Sequence, residues 1–76
     1  MNNLNKLIPF ISIVIPTYNR PEKLKECLES LTELEYSRDS YEVIVVDDGS
    51  KISLESVVEN FNNQIEITLL KQKNAG

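Results

Sequence analysis

Two runs of β-branched residues, Ile11-Ser12-Ile13-Val14-Ile15 and Tyr41-Glu42-Val43-Ile44-Val45-Val46, each break off into a short polar stretch. The first runs into Pro16-Thr17-Tyr18-Asn19-Arg20, the second into Asp47-Asp48-Gly49-Ser50. The first run, short and nearly all apolar, is expected of a strand covered on both faces in a parallel sheet, and the second reads as another strand. Between them, Leu24, Cys27, Leu28, Leu31 and Leu34 recur at helical spacing from Glu22 to Leu34, with Lys23, Lys25, Glu26, Glu29 and Glu33 on the opposite side, which predicts an amphipathic helix. Pro21 suits the first helical position, where its missing N–H costs nothing, and it biases Arg20 towards an extended N-cap. Strand, helix, strand with a right-handed crossover brings both polar stretches to one rim of the sheet. Open parallel sheets bind their ligands at that rim, so the pattern predicts a site.

The remainder continues the alternation. Leu54, Val57, Val58 and Phe61 mark a second amphipathic helix, with Ser53 a plausible N-cap and Asn62-Asn63 its end. Ile65 to Leu70 alternates as a third strand, and Lys71 to Gly76 leaves it as another loop on the same rim. The expected fold class is α/β: β-α-β-α-β, a parallel three-stranded sheet with flanking helices. Residues 1–10, with Asn2, Asn3, Asn5 and Pro9, read as a loosely held arm, and residues 11–76 as the domain. A chain of this size buries only about 60% of its unfolded surface, as expected of a portion of something larger.

Twelve acidic and eight basic side chains give a net charge of −4, and the cations form no stripe; this argues against nucleic acid as a partner. A small nucleotide ligand stays compatible, since single cations and backbone N–H groups can hold phosphate inside an acidic protein. The single cysteine, Cys27, can make no internal disulfide and is expected to be a buried core thiol. There is no histidine, so any general base must be a carboxylate or lie elsewhere. Met1 to Phe10 carries neither a signal-peptide pattern nor a membrane span, and the implied location is the cytoplasm or the cytosolic face of a membrane.

The turn after Ile15 holds no glycine, so it is neither a Gly-x-Gly-x-x-Gly dinucleotide turn nor a Walker loop. It offers a hydroxyl at Thr17, an aromatic face at Tyr18, an amide at Asn19 and a guanidinium at Arg20, which suit a planar base and a phosphate. A purely structural role is the competing reading: Pro16 stops the strand, Asn19 or Arg20 caps the helix, and Tyr18 packs on a neighbour. Two adjacent carboxylates at a strand end repel one another, so at least one needs a partner, a ligand or solvent. Asp48 can accept from a base N–H or a ribose hydroxyl, whereas Asp47, on the opposite face, is expected to satisfy loop backbone. Magnesium or manganese at the Asp47-Asp48 pair, with substrate phosphates completing the shell, is a further reading. So is a hairpin turn at Asp48-Gly49, which the following helical pattern opposes.

With these residues in view, Ile11 to Arg20 followed by Val43 to Ser50 resembles the opening of the family 2 glycosyltransferases, in which Pro-Thr/Ser-Tyr-Asn and Val-Asp-Asp-Gly-Ser line a nucleotide-sugar pocket. Asn74-Ala75-Gly76 is similar to the family's Asn-x-Gly segment. The resemblance implies a Rossmann-like half of a GT-A fold, with residues 11–76 a partial nucleotide-sugar-binding domain ending before the Asp-x-Asp motif. It implies an inverting glycosyltransferase whose donor, a UDP-sugar, meets Pro16, Thr17, Tyr18, Arg20, Asp47 and Asp48; Thr17 and Tyr18 would contact base or ribose, Asp48 would read a uracil-type base, and Pro16 and Arg20 would shape the rim. The family's divalent metal, magnesium or manganese, and its catalytic carboxylate would be held by residues outside this sequence, so the chain alone is expected to be inactive. Lys51-Ile52-Ser53 departs from the small polar and acidic residues that often follow the second motif. Two other readings stand beside this one. A self-associating module could pair through an open sheet edge, and a receiver-like domain could hold magnesium, though no phospho-acceptor aspartate is visible at another strand end.

Overall fold

The structure, a computed structural model, describes residues 9–73. Three parallel strands, β1 (Ile11–Thr17), β2 (Tyr41–Asp48) and β3 (Ile67–Gln72), lie in the order β1-β2-β3. Helix α1 (Pro21–Leu31) joins the first pair, and the short helix α2 (Glu55–Glu59) joins the second. Most of the arm and the Asn74-Ala75-Gly76 segment fall outside the described residues. Registers run Ile11↔Tyr41 to Thr17↔Asp47 and Val43↔Ile67 to Asp48↔Gln72, so all three strands end on one rim.

Burial alternates strictly along β2: Tyr41, Val43, Val45 and Asp47 are buried and their neighbours are not. The odd-numbered side meets Leu24 and Leu28 of α1, Leu54 and Val58 beside and within α2, Phe61 and Ile65, with Ile13, Ile15, Ile67 and Leu69 packed around them. Both helices cover that one face. A sheet that advances in one direction through crossovers of one hand carries every connection on the same side. The expectation of a first strand covered on both faces is therefore corrected: Val14 is 58% exposed on the other side, where Leu70 of β3 is also 50% exposed.

Two features of α1 also depart from the sequence reading. Cys27 is exposed, not a core thiol. Leu24 and Leu28 define the buried line of the helix, and Cys27 lies off that line on the helix flank. The helix also stops at Leu31, and Leu34 is 46% exposed. The Thr32 hydroxyl donates back to the Glu29 carbonyl at 2.6 Å. The last turn carries no basic residue while Glu29 and Glu33 crowd it, the wrong charge for a helix C-terminus.

Helix α2 is shorter than its apolar spacing suggested. Leu54 is the N-cap residue; Ser53 sits one residue earlier, where its Oγ accepts the Glu55 N–H at 3.3 Å. Phe61 is buried in the turn that follows, and its carbonyl accepts the Gln64 and Ile65 N–H groups, both at 2.9 Å. Strand β3 is displaced by two residues from the expected span. Ile65 is a core residue ahead of it, and Lys71 and Gln72, expected in a loop, are its last two residues. Polar side chains do not stop an edge strand, whose backbone pairs on one side and is solvated on the other. At the opposite end of the sheet the Tyr36 ring packs edge-on against Tyr41 with centroids 6.1 Å apart, and its hydroxyl donates to the Pro9 carbonyl.

Candidate functional site

The rim is built by three strand ends in register. Thr17 lies beside Asp47, which lies beside Lys71, and Asp48 lies beside Gln72. Just beyond Thr17 the chain turns at Tyr18, and Asn19 adopts a left-handed conformation, φ 52°. Asparagine is among the few residues other than glycine that tolerate this region. Arg20 follows as the N-cap of α1, with no side-chain bond to the helix, and Pro21 opens the helix as the sequence predicted. On the second strand Gly49 takes φ 79°, which a residue with a Cβ would adopt at a steric cost.

A cleft of about 380 Å³ lies between β1 and the start of α1, with Asp48 on its border. Five of the six site residues expected from the sequence line it: Pro16, Thr17, Tyr18, Arg20 and Asp48. Tyr18 is 41% exposed, so an aromatic face is available to a ligand. Asp47 stands apart from them. It is 4% exposed on the helix-covered side of β2, and its Oδ1 accepts the Ser50 N–H at 2.9 Å. Successive side chains of a strand point to opposite faces, which sends the two neighbouring carboxylates to different tasks. Asp48 is half-buried, and its Oδ1 accepts from Gln72 Nε2 at 3.2 Å, which leaves its second oxygen as an acceptor.

Sequence reasoning missed four contributors, Lys23, Leu24, Cys27 and Gln72. Lys23 and Cys27 line the cleft with Leu24. From Arg20 the spacing to Lys23 and Cys27 follows one helical flank, a signal that was present but was absorbed into the charged side and the core. Gln72 was assigned to a loop and is instead the strand end beside Asp48. The metal reading of the aspartate pair fits poorly. Among the described residues no group of three His, Cys, Asp or Glu side chains could hold an ion, and Asp47 and Asp48 diverge. Away from the cleft, Lys71 Nζ lies 3.2 Å from Glu55 Oε2. That contact, first as a hydrogen bond and then as a charge, holds the Glu55 carboxyl below its ordinary pKa.

The sequence model of the family described as "Glycosyl transferase family 2" matches residues 12–76, nearly the whole chain. The chain belongs to glycosyl transferase family 2. It is 44% identical over 70 residues to chondroitin synthase of Escherichia coli, covering 92% of this chain and 10% of that protein. Among solved structures, it is similar to Staphylococcus aureus TarS in complex with UDP-GlcNAc, with a TM-score of 0.79 and 33% identity over 88% of this chain and 20% of that one. It is also similar to the mannosyltransferase PcManGT of Pyrobaculum calidifontis in complex with GDP-Man and Mn2+, with a TM-score of 0.78 and 30% identity over 90% and 21% of the two chains. The fold is thus the α/β, Rossmann-like half of a GT-A architecture. The chain spans less than a fifth of the length of the curated relatives it matches, from 19% down to 7%.

Proposed function

We propose that this chain is the nucleoside-binding portion of an inverting glycosyltransferase that uses a UDP-sugar donor and transfers the sugar to an acceptor hydroxyl. One observation carries the reading: Thr17, Tyr18, Arg20 and Asp48 converge on a single cleft at the carboxyl ends of parallel strands. In that cleft the Tyr18 ring offers a stacking face for the base. The free oxygen of Asp48 accepts a base N–H, and the Thr17 hydroxyl meets the ribose. Arg20 and Lys23 supply positive charge on the side where a diphosphate would leave. Pro16 fixes the floor at the strand end. A relative in complex with UDP-GlcNAc supports a uridine donor, and one with GDP-Man and Mn2+ makes guanosine the competing base.

A divalent metal assists diphosphate departure in such chemistry, but the described residues offer no ligand set for it. The part we assign to this chain is to bind and orient the donor. No described helix is long and apolar enough to cross a membrane.

Titration of the chain with UDP and, separately, GDP, followed by backbone amide shifts, tests the reading. UDP is expected to move Thr17, Tyr18 and Asp48, with GDP the weaker ligand. Shifts confined to residues outside the cleft would refute it.

A second reading, self-association without catalysis, is favoured by the uncovered sheet face bearing Val14 and Leu70 and by the free edges of β1 and β3 among the described residues. Sedimentation at rising concentration decides it: a concentration-dependent dimer supports the reading, and a monomer throughout removes it.

A further inference from the structure

We propose that Asn19 and Ser50 form a latch that positions the two nucleoside-binding loops, a role that rests on the nucleotide reading above. The Asn19 backbone N–H donates to Ser50 Oγ at 2.7 Å, and the Lys51 backbone N–H donates to Asn19 Oδ1 at 2.7 Å. The loops after β1 and β2 are therefore tied in both directions, each supplying one backbone donor and one side-chain acceptor. The tie is anchored in the core, because the Ser50 N–H donates to Oδ1 of buried Asp47 at 2.9 Å.

Neither Asn19 nor Ser50 lines the cleft, so both act through neighbours. Tyr18 immediately precedes Asn19, and Asp48 lies two residues before Ser50. The left-handed backbone at Asn19 and the positive φ at Gly49 bend the two loops into the arrangement in which these bonds close. A base held between Tyr18 and Asp48 touches both loops at once. Untied loops would have to be ordered by the ligand, and that ordering would be subtracted from its affinity. Asn19 and Ser50 are accordingly positioning residues for the nucleoside, and the Asp47 carboxylate takes part in the site indirectly, as the base of the latch.

The test uses the whole chain and UDP as the probe, with Kd from calorimetry. Ser50→Ala and Asn19→Gly are each expected to raise Kd about tenfold through lost preorganisation. Because the two side chains close one latch, the double variant should be within about twofold of the weaker single one. Ser50→Thr, which keeps the hydroxyl, should return to within about threefold of the wild type, a rescue that a bulk packing role would not give. Asn19→Gly accepts φ 52° freely and removes only the side-chain acceptor, so it decides the matter if Ser50→Ala fails to fold. Core amide resonances of Val43 and Val45 report folding. If Asp48→Ala weakens binding while Ser50→Ala and Asn19→Gly bind as the wild type does, the latch is refuted and the nucleotide reading stands. If Ser50→Thr is as weak as Ser50→Ala, the hydroxyl is not the acting group and the proposal also falls. If wild type and Asp48→Ala bind UDP alike, the nucleotide reading fails and takes the latch's role with it.

Discussion

Replacing Asp47 by alanine should destabilise the chain, whereas the same change at Asp48 should leave stability almost unaltered. The difference follows from burial. Asp47 is 4% exposed, and its carboxylate accepts the Ser50 N–H at 2.9 Å. A hydrogen bond to a charged group contributes about 1.5–3 kcal/mol, and its loss here leaves a part-buried donor without a partner. Truncation also relieves the cost of keeping a carboxylate out of water, which pulls the net effect towards the lower end, about 1.5–2 kcal/mol. Total stability for a domain of this length is roughly 4–11 kcal/mol, so the loss is a large fraction of it. At about 4–8 °C per kcal/mol for small domains, Asp47→Ala should melt about 10 °C below the wild type. Asp47→Asn retains an oxygen acceptor and should lose less than half as much. Asp48 is half-buried and bonded only to exposed Gln72, so Asp48→Ala should fall within about 0.5 kcal/mol of the wild type. Thermal and urea unfolding followed by circular dichroism at neutral pH measures all three. An Asp47→Ala protein that melts with the wild type, or an Asp48→Ala protein that loses more than Asp47→Ala, would refute the division of labour between the carboxylates.

Two further outcomes are expected. Cys27 is exposed and lines the cleft, so it should react with Ellman's reagent in the native state, and saturating UDP should slow that reaction at least about threefold; modification only upon unfolding would contradict its placement. Glu55 should titrate below its ordinary pKa chiefly because of Lys71, with a smaller part from the Ser53 hydroxyl, and Lys71→Ala should move it back towards the ordinary range, as read by carboxyl-carbon NMR. Since the folded-state pKa is the lowered one, the pair stabilises above the ordinary glutamate pKa and that contribution fades as pH falls through the folded value. Both side chains are more than half exposed, so added salt should weaken the effect; a Glu55 pKa unchanged by Lys71→Ala would contradict it.

The residues that spoke most clearly in the sequence were those whose identity is dictated locally. Pro21 opens α1, and the alternation along Tyr41 to Asp48 separates Asp47 from Asp48 without any knowledge of neighbours, whereas Pro16, expected to stop the first strand, lies within β1 opposite Val46 and the strand runs on to Thr17. What could not be read locally depended on which elements lie opposite. Cys27 has helical spacing suited to the core, but it is exposed and lines the cleft, which only the packing of α1 against the strand ends reveals. The uncovered face carrying Val14 and Leu70 has the same cause, since apolar residues along a strand do not state how many layers cover it. Asn19 was visible only as a polar turn residue; its bonds to Ser50 and Lys51 join segments 31 and 32 residues apart, a relation that no local pattern encodes. The extension of β3 through Lys71 and Gln72 likewise came from pairing with β2, not from β-propensity.

The account stands most directly on one comparison, the affinity of the chain for UDP with and without the Asp48 carboxylate. If Asp48 accepts the base N–H, a charge-assisted bond worth about 1.5–3 kcal/mol is lost in Asp48→Ala, and Kd should rise roughly tenfold to a hundredfold while the melting temperature holds. Equal Kd values for the wild type and Asp48→Ala, measured by calorimetry at millimolar nucleotide, would contradict the assignment of this cleft to the nucleoside.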